Sequence, residues 1–532
     1  MNELTIVLVA LYRYRNVPVR IMHPLLKKID NIELHSIFFK DCDTNVFNIP
    51  TEREEELFVK LITKLNPQLV GFSVLSPYAP IASRLTKLVK KNSSSLVIWG
   101  GVHTTISPES CIDETDMLCI GEGEGAMTDL ARYLVNDKPY DSIKNLWVKS
   151  GDCIIKNPMR PLINDLDSLP FPSYGDNTYY FIDSNKITKD DPLLLDNYFY
   201  VQTSRGCPYR CSYCVNSLLQ PLFKTLGPYT RRRSVTSIIK EIKENLSLPK
   251  NNTNYIVFPD DAFGNEESWL TEFELQYHKE VGIPFYARYN PKDINSTVLS
   301  KLVSAGLNTI NFGIQTGSDY IRNKIFYRAG KKNEILNLVK EIVSYGVKIR
   351  YDLIMDNPYD TEQSLKNTID LLLQLPKPLL LDLYSLQYFP NYPLTKMAIE
   401  DKRVKPEEVE IDSLMERTTR HWMYVPRLLP YTKKQILQNI IWLIAWPNVK
   451  NSTIKFSVFN DSLNAKLCLH YINLKSILLG KVFGVGRILY VSPKLTPRRN
   501  VWTMYIINGV KYILKGDFKT LGFKIKKHIL NK

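Results

Sequence analysis

Two runs of short apolar strands alternating with helical periodicity constrain this chain more than any other feature. The first occupies residues 1–135, with TIVLVAL, LHSIFF, QLVGFSVL, SLVIWGG and MLCIGEGE as strands. Between the third and fourth, Ile81, Leu85, Leu88 and Val89 recur at helical spacing, with lysines on the other side. Strands alternating with helices imply a parallel sheet covered on both faces. Ligands of such sheets sit beyond the carboxyl ends of the strands. Ser73, Gly100-Gly101-Val102-His103 and Gly121-Glu122-Gly123-Glu124 fall there. The opening MNELTIVLVALYRYR reads as a buried strand rather than a signal peptide, because it lacks a charged leader and a small-residue cleavage site.

A proline-rich connector, NPMRPLINDLDSLPFPSYGD, leads to the second run. Its strands are YFYVQTSR, NYIVFPDD, PFYARYN, TINFGIQT, KIRYDLIM and LLLDLYSLQYF, most of them separated by periodic helices such as SVTSIIKEIKENL. Six strand–helix units over about 200 residues fall short of the roughly 250 that eight units take, so a partial barrel is expected. The α/β chain thus divides into a Rossmann-like domain (1–150), a linker or strap (151–190), a partial (β/α)6 barrel (191–400) and a basic α+β C-terminal domain (401–532).

At the end of the first barrel strand, RGCPYRCSYC places Cys207, Cys211 and Cys214 in a C-x3-C-x2-C array. Zinc takes four ligands, usually in two pairs, and the remaining Cys42, Cys111, Cys119, Cys153 and Cys468 are isolated. Buried structural cysteines rarely fall three in eight residues. A [4Fe–4S] cluster commonly takes four thiolates. Three leave one iron open to bind a substrate, and this reading accounts best for the array. The lack of even spacing argues against a disulfide framework and for a reducing cytoplasm.

At these residues the sequence resembles the radical S-adenosylmethionine (SAM) superfamily. The resemblance implies a cluster whose open iron chelates SAM and, once reduced, cleaves it to a 5′-deoxyadenosyl radical. Tyr213 sits where that family packs against the adenine. GIQTGS, with Gly313, Gln315 and Ser318, resembles its G-x-E-S-G-S stretch, Gln315 replacing Glu. Asp356-Asn357-Pro358-Tyr359-Asp360-Thr361 resembles its G-x-P-G-E-T segment, keeping Pro358 and Thr361 but neither glycine. Asp261 and Arg288 fall at family-like places on strands two and three. The bland readings are a strand cap for Asp260-Asp261, a satisfied core amide for Gln315 and a structural ion pair for Arg288.

VIWGGVHTTISPE and IGEGEGAMTDLARYL resemble the cobalamin-binding domain that precedes many such barrels, and DLDSLPFPSYG its connecting strap. The implied corrin contacts are Ser73, Gly100, Gly101, His103, Glu122 and Gly123. No D-x-H-x-x-G ligand loop occurs, so His103 is expected not to ligate cobalt.

Residues 401–532 carry 24 Lys+Arg against 8 Asp+Glu, leaving the first 400 residues near neutral. A basic, aromatic-interleaved tail suits an anionic membrane surface or an anionic substrate. No nucleic-acid-binding pattern is convincing, and nucleic acid is not expected as a partner. IIWLIAWP reads as a buried helix, ILYVSPKLTPRRNVWTMYIINGVKYIL as a pair of hairpins, and LGFKIKKHILNK, with Lys524, Lys526 and Lys527, as an apolar-basic interfacial segment.

The resemblance implies a cobalamin-dependent radical SAM C-methyltransferase acting on an unactivated carbon. Its rival uses the same cofactors for rearrangement or cyclisation. A methylthiotransferase should bring three further cluster cysteines, and a non-catalytic iron–sulfur sensor would leave both cofactor segments unexplained. The expected partners are a small-molecule or lipid/glycan-like substrate, an external one-electron reductant such as flavodoxin or ferredoxin, and an anionic membrane surface. The expected location is the cytoplasm, including the inner face of the membrane.

Overall fold

The computed structural model describes residues 3–41, 48–249, 251–410, 423–430, 432–445, 450–460 and 462–483. Cys42 and the expected hairpins and terminal lysines lie outside the described residues.

The first sheet has nine strands: β1 (Leu4–Leu11), β2 (Ile32–Phe39), β3 (Leu69–Ser73), β4 (Leu96–Gly100), β5 (Met117–Cys119), β6 (Leu146–Ser150), β7 (Cys153–Lys156), β8 (Tyr179–Asp183) and β9 (Lys186–Thr188). Their spatial order is β7-β6-β5-β4-β3-β1-β2-β8-β9, parallel from β5 through β8, with antiparallel strands at both edges. Every residue of β1 is buried, as a strand sandwiched by helices requires. Val7, Val9 and Leu11 enter one core with the helices Glu52–Leu65 and Ala79–Asn92. Leu4, Ile6, Leu8 and Ala10 enter the other, with Val17–Lys27 and Glu124–Val135. The strand order reverses at β1, so a crevice opens beyond the carboxyl ends of β1 and β3.

The stretch read as a strap is partly sheet, since β7, β8 and β9 all join the first domain. A buried ion pair pins it: Arg20 reaches Asp191 at 2.7 and 2.8 Å and donates to the Ser173 carbonyl.

The second sheet follows. β10 (Tyr198–Tyr200) is succeeded by a short antiparallel pair, β11 (Ser204–Arg205) and β12 (Arg231–Arg232), and then by β13 (Tyr255–Phe258), β14 (Phe285–Tyr289), β15 (Leu307–Gln315), β16 (Lys348–Met355) and β17 (Leu380–Ser385). β10 and β13–β17 form six parallel strands in sequential order, the partial (β/α)6 barrel.

The described residues 423–483 do not stand apart from this barrel. Helix Lys433–Ile444, which contains the start of the IIWLIAWP segment, is buried on every side from Gln435 onward, and its Leu437, Ile440 and Trp442 belong to the barrel's own core. Tyr424, Ile454, Leu469 and Ile472 join the same core. The basic character marks a surface of this layer, while its interior is continuous with the barrel.

Candidate functional site

The cysteine loop leaves the barrel at β11, and Asp260 fixes its root. That buried carboxylate accepts from Thr203 N at 3.0 Å, Thr203 Oγ1 at 3.0 Å and Ser204 Oγ at 2.6 Å. Asp260 is therefore a strand-end anchor. Gly206 comes next with φ +85°, and a Cβ there would lie 2.2 Å from the Tyr229 carbonyl oxygen, so only glycine fits. Cys207 and Cys211 are buried and Cys214 is half-buried. Burial pushes the Cys207 thiol up to about 12 and the Cys214 thiol to about 11.

Nearby donors offset part of that burial. The backbone N–H groups of Tyr209 and Asn216 donate to Cys207 and Cys214 respectively. Asn216 Nδ2 lies 3.5 Å from Cys214 Sγ and donates to Asp261 Oδ2 at 3.0 Å. Arg328 Nη1 approaches Cys211 Sγ to 3.8 Å, while its Nε donates to the Gly313 carbonyl at 3.1 Å. Among the described residues, no three His, Cys, Asp or Glu side chains converge as ligands of one metal ion would. Each thiolate of a cubane binds its own iron, and thiols on one loop with N–H donors beside them suit such a cluster.

The SAM candidates gather around this loop unevenly. Tyr213 packs edge-on to Phe326, ring centroids 5.0 Å apart, in a small core shared with Tyr359, Leu386 and Tyr388. That core joins the cysteine loop to the 356–361 segment. β15 ends in an irregularity between Gly313 and Gln315, and Gln315 has φ +65°. Its amide folds back, so that a Cβ on Gly313 would lie 1.9 Å from Gln315 Nε2. Ser318 is buried, with its hydroxyl accepting from Ile321 N at 3.4 Å, which is a turn-capping position. A cavity of about 410 Å³ opens beside Gly313 and Arg328, lined also by Lys292, Asn295 and Glu334.

The 356–361 segment explains how the chain dispenses with two glycines. Asp356 takes φ +57°, a left-handed conformation costing a non-glycine residue roughly 1–2 kcal/mol. Its carboxylate is held by Arg427 at 2.6 Å and Ser385 at 2.7 Å, which offsets that cost. Tyr359 replaces the second glycine and buries its ring, with its hydroxyl donating to Asp401 at 2.7 Å. Pro358 accepts from Arg403 through its carbonyl. Asp360 is buried, and burial raises its pKa to about 7.

Inside the barrel, Arg288 lies beside Tyr286 and Asp352, the Asp352 carboxylate accepts from Asn311 Nδ2 at 2.9 Å, and Arg350 pairs with Asp382 through two bonds. Arg288 Nε is buried without a partner.

In the first domain, Ser73, Gly100, Gly101 and His103 meet at the carboxyl ends of β3 and β4. Asn16 Nδ2 donates to Ser73 Oγ at 3.2 Å across the crevice. Gly101 has φ +105°, and a Cβ there would lie 2.8 Å from the Val74 carbonyl oxygen. Thr104 and Thr105 both donate to the Gly101 carbonyl, and Thr105 accepts from Gly121 N, tying the two loops together. His103 Nδ1 lies 3.1 Å from Ser76 Oγ, while its buried Nε2 has no partner. Burial lowers its pKa to about 4, so the ring is neutral at pH 7. An orphaned imidazole nitrogen beside glycine turns at a sheet switch point fits a polar macrocycle at this crevice.

Glu122 is also committed to the protein: its carboxylate accepts from Arg205 at 2.8 Å, Arg231 at 3.0 Å and Ile163 N at 2.7 Å. Glu124 accepts from Arg205 as well, at 2.5 Å. Gly123 packs on Cys119, a Cβ there lying 3.3 Å from its sulfur. Because Arg205 stands two residues before Cys207, this clamp joins the glycine loop of one domain to the cysteine loop of the other. The sequence reading missed Arg205, Arg231, Arg328 and Arg427. Only the RGC context of Arg205 offered a local hint.

Comparison with known proteins agrees with this geometry. Residues 32–131 match the B12 binding domain family model, and residues 201–372 match that of the Radical SAM superfamily. An uncharacterized methyltransferase of Pyrococcus horikoshii is 27% identical over 325 residues, covering 58% of this chain and 65% of its own length. An anaerobic magnesium-protoporphyrin IX monomethyl ester cyclase of Rubrivivax gelatinosus is 27% identical over 352 residues, covering 62% and 58% respectively. The chain thus spans less than two thirds of either relative. The solved structure of the cobalamin-dependent S-adenosylmethionine radical enzyme OxsB, with aqua-cobalamin and S-adenosylmethionine bound, shares the fold at a TM-score of 0.65 and 16% identity, covering 99% of this chain and 81% of that one. The chain thus carries a B12-binding domain over residues 32–131, followed by a domain of the radical SAM superfamily over residues 201–372.

Proposed function

We propose that this protein is a cobalamin-dependent radical SAM C-methyltransferase acting on an unactivated carbon of a small-molecule or lipid/glycan-like substrate. The observation that carries the reading is the Glu122/Glu124–Arg205/Arg231 clamp, which joins the loops expected to hold the two cofactors. Cys207, Cys211 and Cys214 would hold the cluster, with Arg328 and Asn216 beside its sulfurs. The turns at Ser73, Gly100 and Gly101, with neutral His103, would hold the corrin. Bound there, the cluster and SAM supply a 5′-deoxyadenosyl radical to remove substrate hydrogen, and methylcobalamin supplies the methyl group. The protein's part is to fix distances and exclude water. Tyr213 would pack on the adenine, and Gly313 would make room for the folded-back Gln315 amide at the strand end that would receive SAM. An external one-electron donor such as flavodoxin or ferredoxin would supply reducing equivalents.

A second reading, cyclisation or rearrangement with the same cofactors, is favoured by the likeness to the cyclase relative. Metabolite extracts supplied to the reconstituted protein with methyl-deuterated SAM would separate the two. A product heavier by a labelled methyl supports methyl transfer, and a consumed metabolite without label supports the second reading.

A further inference from the structure

Helix Leu463–Phe483 is apolar on two sides, and the described residues cover only one of them. Its inner residues Ala465, Leu469, Ile472 and Leu479 are buried, and Asn473 accepts from Asn439 Nδ2 at 2.7 Å beneath it. On the outer side Leu463, Leu467, Tyr471, Leu474 and Leu478 succeed one another at steps of three and four, forming one stripe along the helix. They are 72%, 61%, 68%, 51% and 64% exposed. At 1.5 Å per residue the stripe is about 22 Å long. The preceding helix Asn451–Phe459 adds Phe456 and Phe459, each 43% exposed. Scattered apolar residues need no explanation, but a continuous stripe marks a contact surface.

Charge decides what covers it. At about 100° per residue, Lys466 lies on one flank of the stripe and Lys475 on the other. Residues 423–483 hold eight Lys and Arg against Asp461 alone. A second copy of the chain would bring the same positive charge to the same stripe, which is unfavourable. Residues 484–532, with eleven Lys and Arg against Asp517, carry the same sign. An anionic lipid surface complements both features, since the headgroup–acyl boundary takes the apolar side chains and the anionic headgroups take the lysines. Among the described residues no helix is long and apolar enough to cross a membrane. We propose that helix Leu463–Phe483 docks the protein on an anionic lipid surface, lying in its plane with Leu467, Tyr471, Leu474 and Leu478 immersed.

The test sediments the full, anaerobically reconstituted chain with vesicles of phosphatidylcholine, with and without phosphatidylglycerol. Binding to the mixed vesicles is expected to be about tenfold stronger than to phosphatidylcholine alone, and to weaken as salt rises. Leu467→Gln/Leu474→Gln should weaken it about tenfold or more, with an unchanged unfolding midpoint because both sites are exposed. Lys466→Gln/Lys475→Gln should remove most of the preference for phosphatidylglycerol and retain residual apolar binding. Undiminished binding by the leucine variant would overturn the proposal, as would indifference to lipid charge. Absence of wild-type binding would overturn it too. With a dimer that the leucine variant dissociates, that result would assign the stripe to a second copy. With a lower unfolding midpoint in the leucine variant, it would assign the stripe to residues 484–532. Iron content and 5′-deoxyadenosine formation, read on the same samples, should be unaffected by these substitutions, so loss of docking and failure of the proposed enzyme reading are distinguishable.

Discussion

Arg328 reaches Cys211 and the Gly313 carbonyl together, from a segment 117 residues beyond that cysteine. One guanidinium thereby spans the proposed cluster site and the strand end expected to receive SAM. Arg328→Ala should lower reductant-dependent 5′-deoxyadenosine formation about tenfold, the loss of one charge-assisted hydrogen bond. Arg328→Lys should recover little, because a point charge cannot make both contacts. Iron counts on the same samples separate weakened cleavage from cluster loss. Asp360 offers a test through pH. Its pKa is raised by burial to about 7, so the folded state holds a proton that the unfolded chain releases near pH 4. Stability is therefore greatest below about pH 4 for this group and falls as pH rises through about 7. Asp360→Asn should raise the unfolding midpoint at pH 8 and matter much less at pH 5, as thermal scans at both values would register. An unaltered pH dependence would contradict the assignment.

The glycine loop after β5 and the cysteine loop after β11 are held as one unit by the Glu122–Arg205 and Glu124–Arg205 pairs. A double-mutant cycle on Glu122→Ala and Arg205→Ala, followed by denaturant unfolding, should give a coupling of about 1–3 kcal/mol. Additive effects would mean that the loops are positioned independently. At β4, Gly100→Leu should eject cobalamin and spare the cluster, because little of the chain itself opposes that side chain. Gly101 is the poorer probe, since any side chain there collides with Val74. His103→Ala should leave the cobalt spectrum unchanged, whereas a histidine-ligated spectrum that this substitution abolishes would overturn the expectation. These elements differ in how far sequence betrays them. The glycine turns and the array are local patterns, set by φ and spacing, and were legible. The Glu122 clamp was not legible, because nothing local to a glycine loop shows that its carboxylate meets an arginine 83 residues away. The strap's strands escaped notice for a similar reason. β8 joins β2 through backbone pairing that its proline-rich approach conceals.

Two sheets share one clamp, and the described residues 423–483 complete the core of the second. The composition made that last part look like a separate basic domain, since charge counts register surfaces while Ile440 and Trp442 of the barrel core are apolar. Arg427, from that same part, supports the Asp356 turn beside the proposed SAM site, so the tail is not wholly apart from the radical machinery. Removing it should therefore cost the barrel its packing as well as any surface it docks upon. The central claim is that the three-cysteine loop performs reductive SAM cleavage. The most direct measurement is 5′-deoxyadenosine formed per chain with SAM and a low-potential reductant under anaerobic conditions, in wild type and in the single Cys207→Ala, Cys211→Ala and Cys214→Ala variants. Wild type should carry about four irons and form 5′-deoxyadenosine only with reductant. Each variant should form none, whereas Cys111→Ala, Cys119→Ala, Cys153→Ala and Cys468→Ala should match wild type. Undiminished formation in any of the three array variants, or none in an iron-replete wild type, would contradict the account.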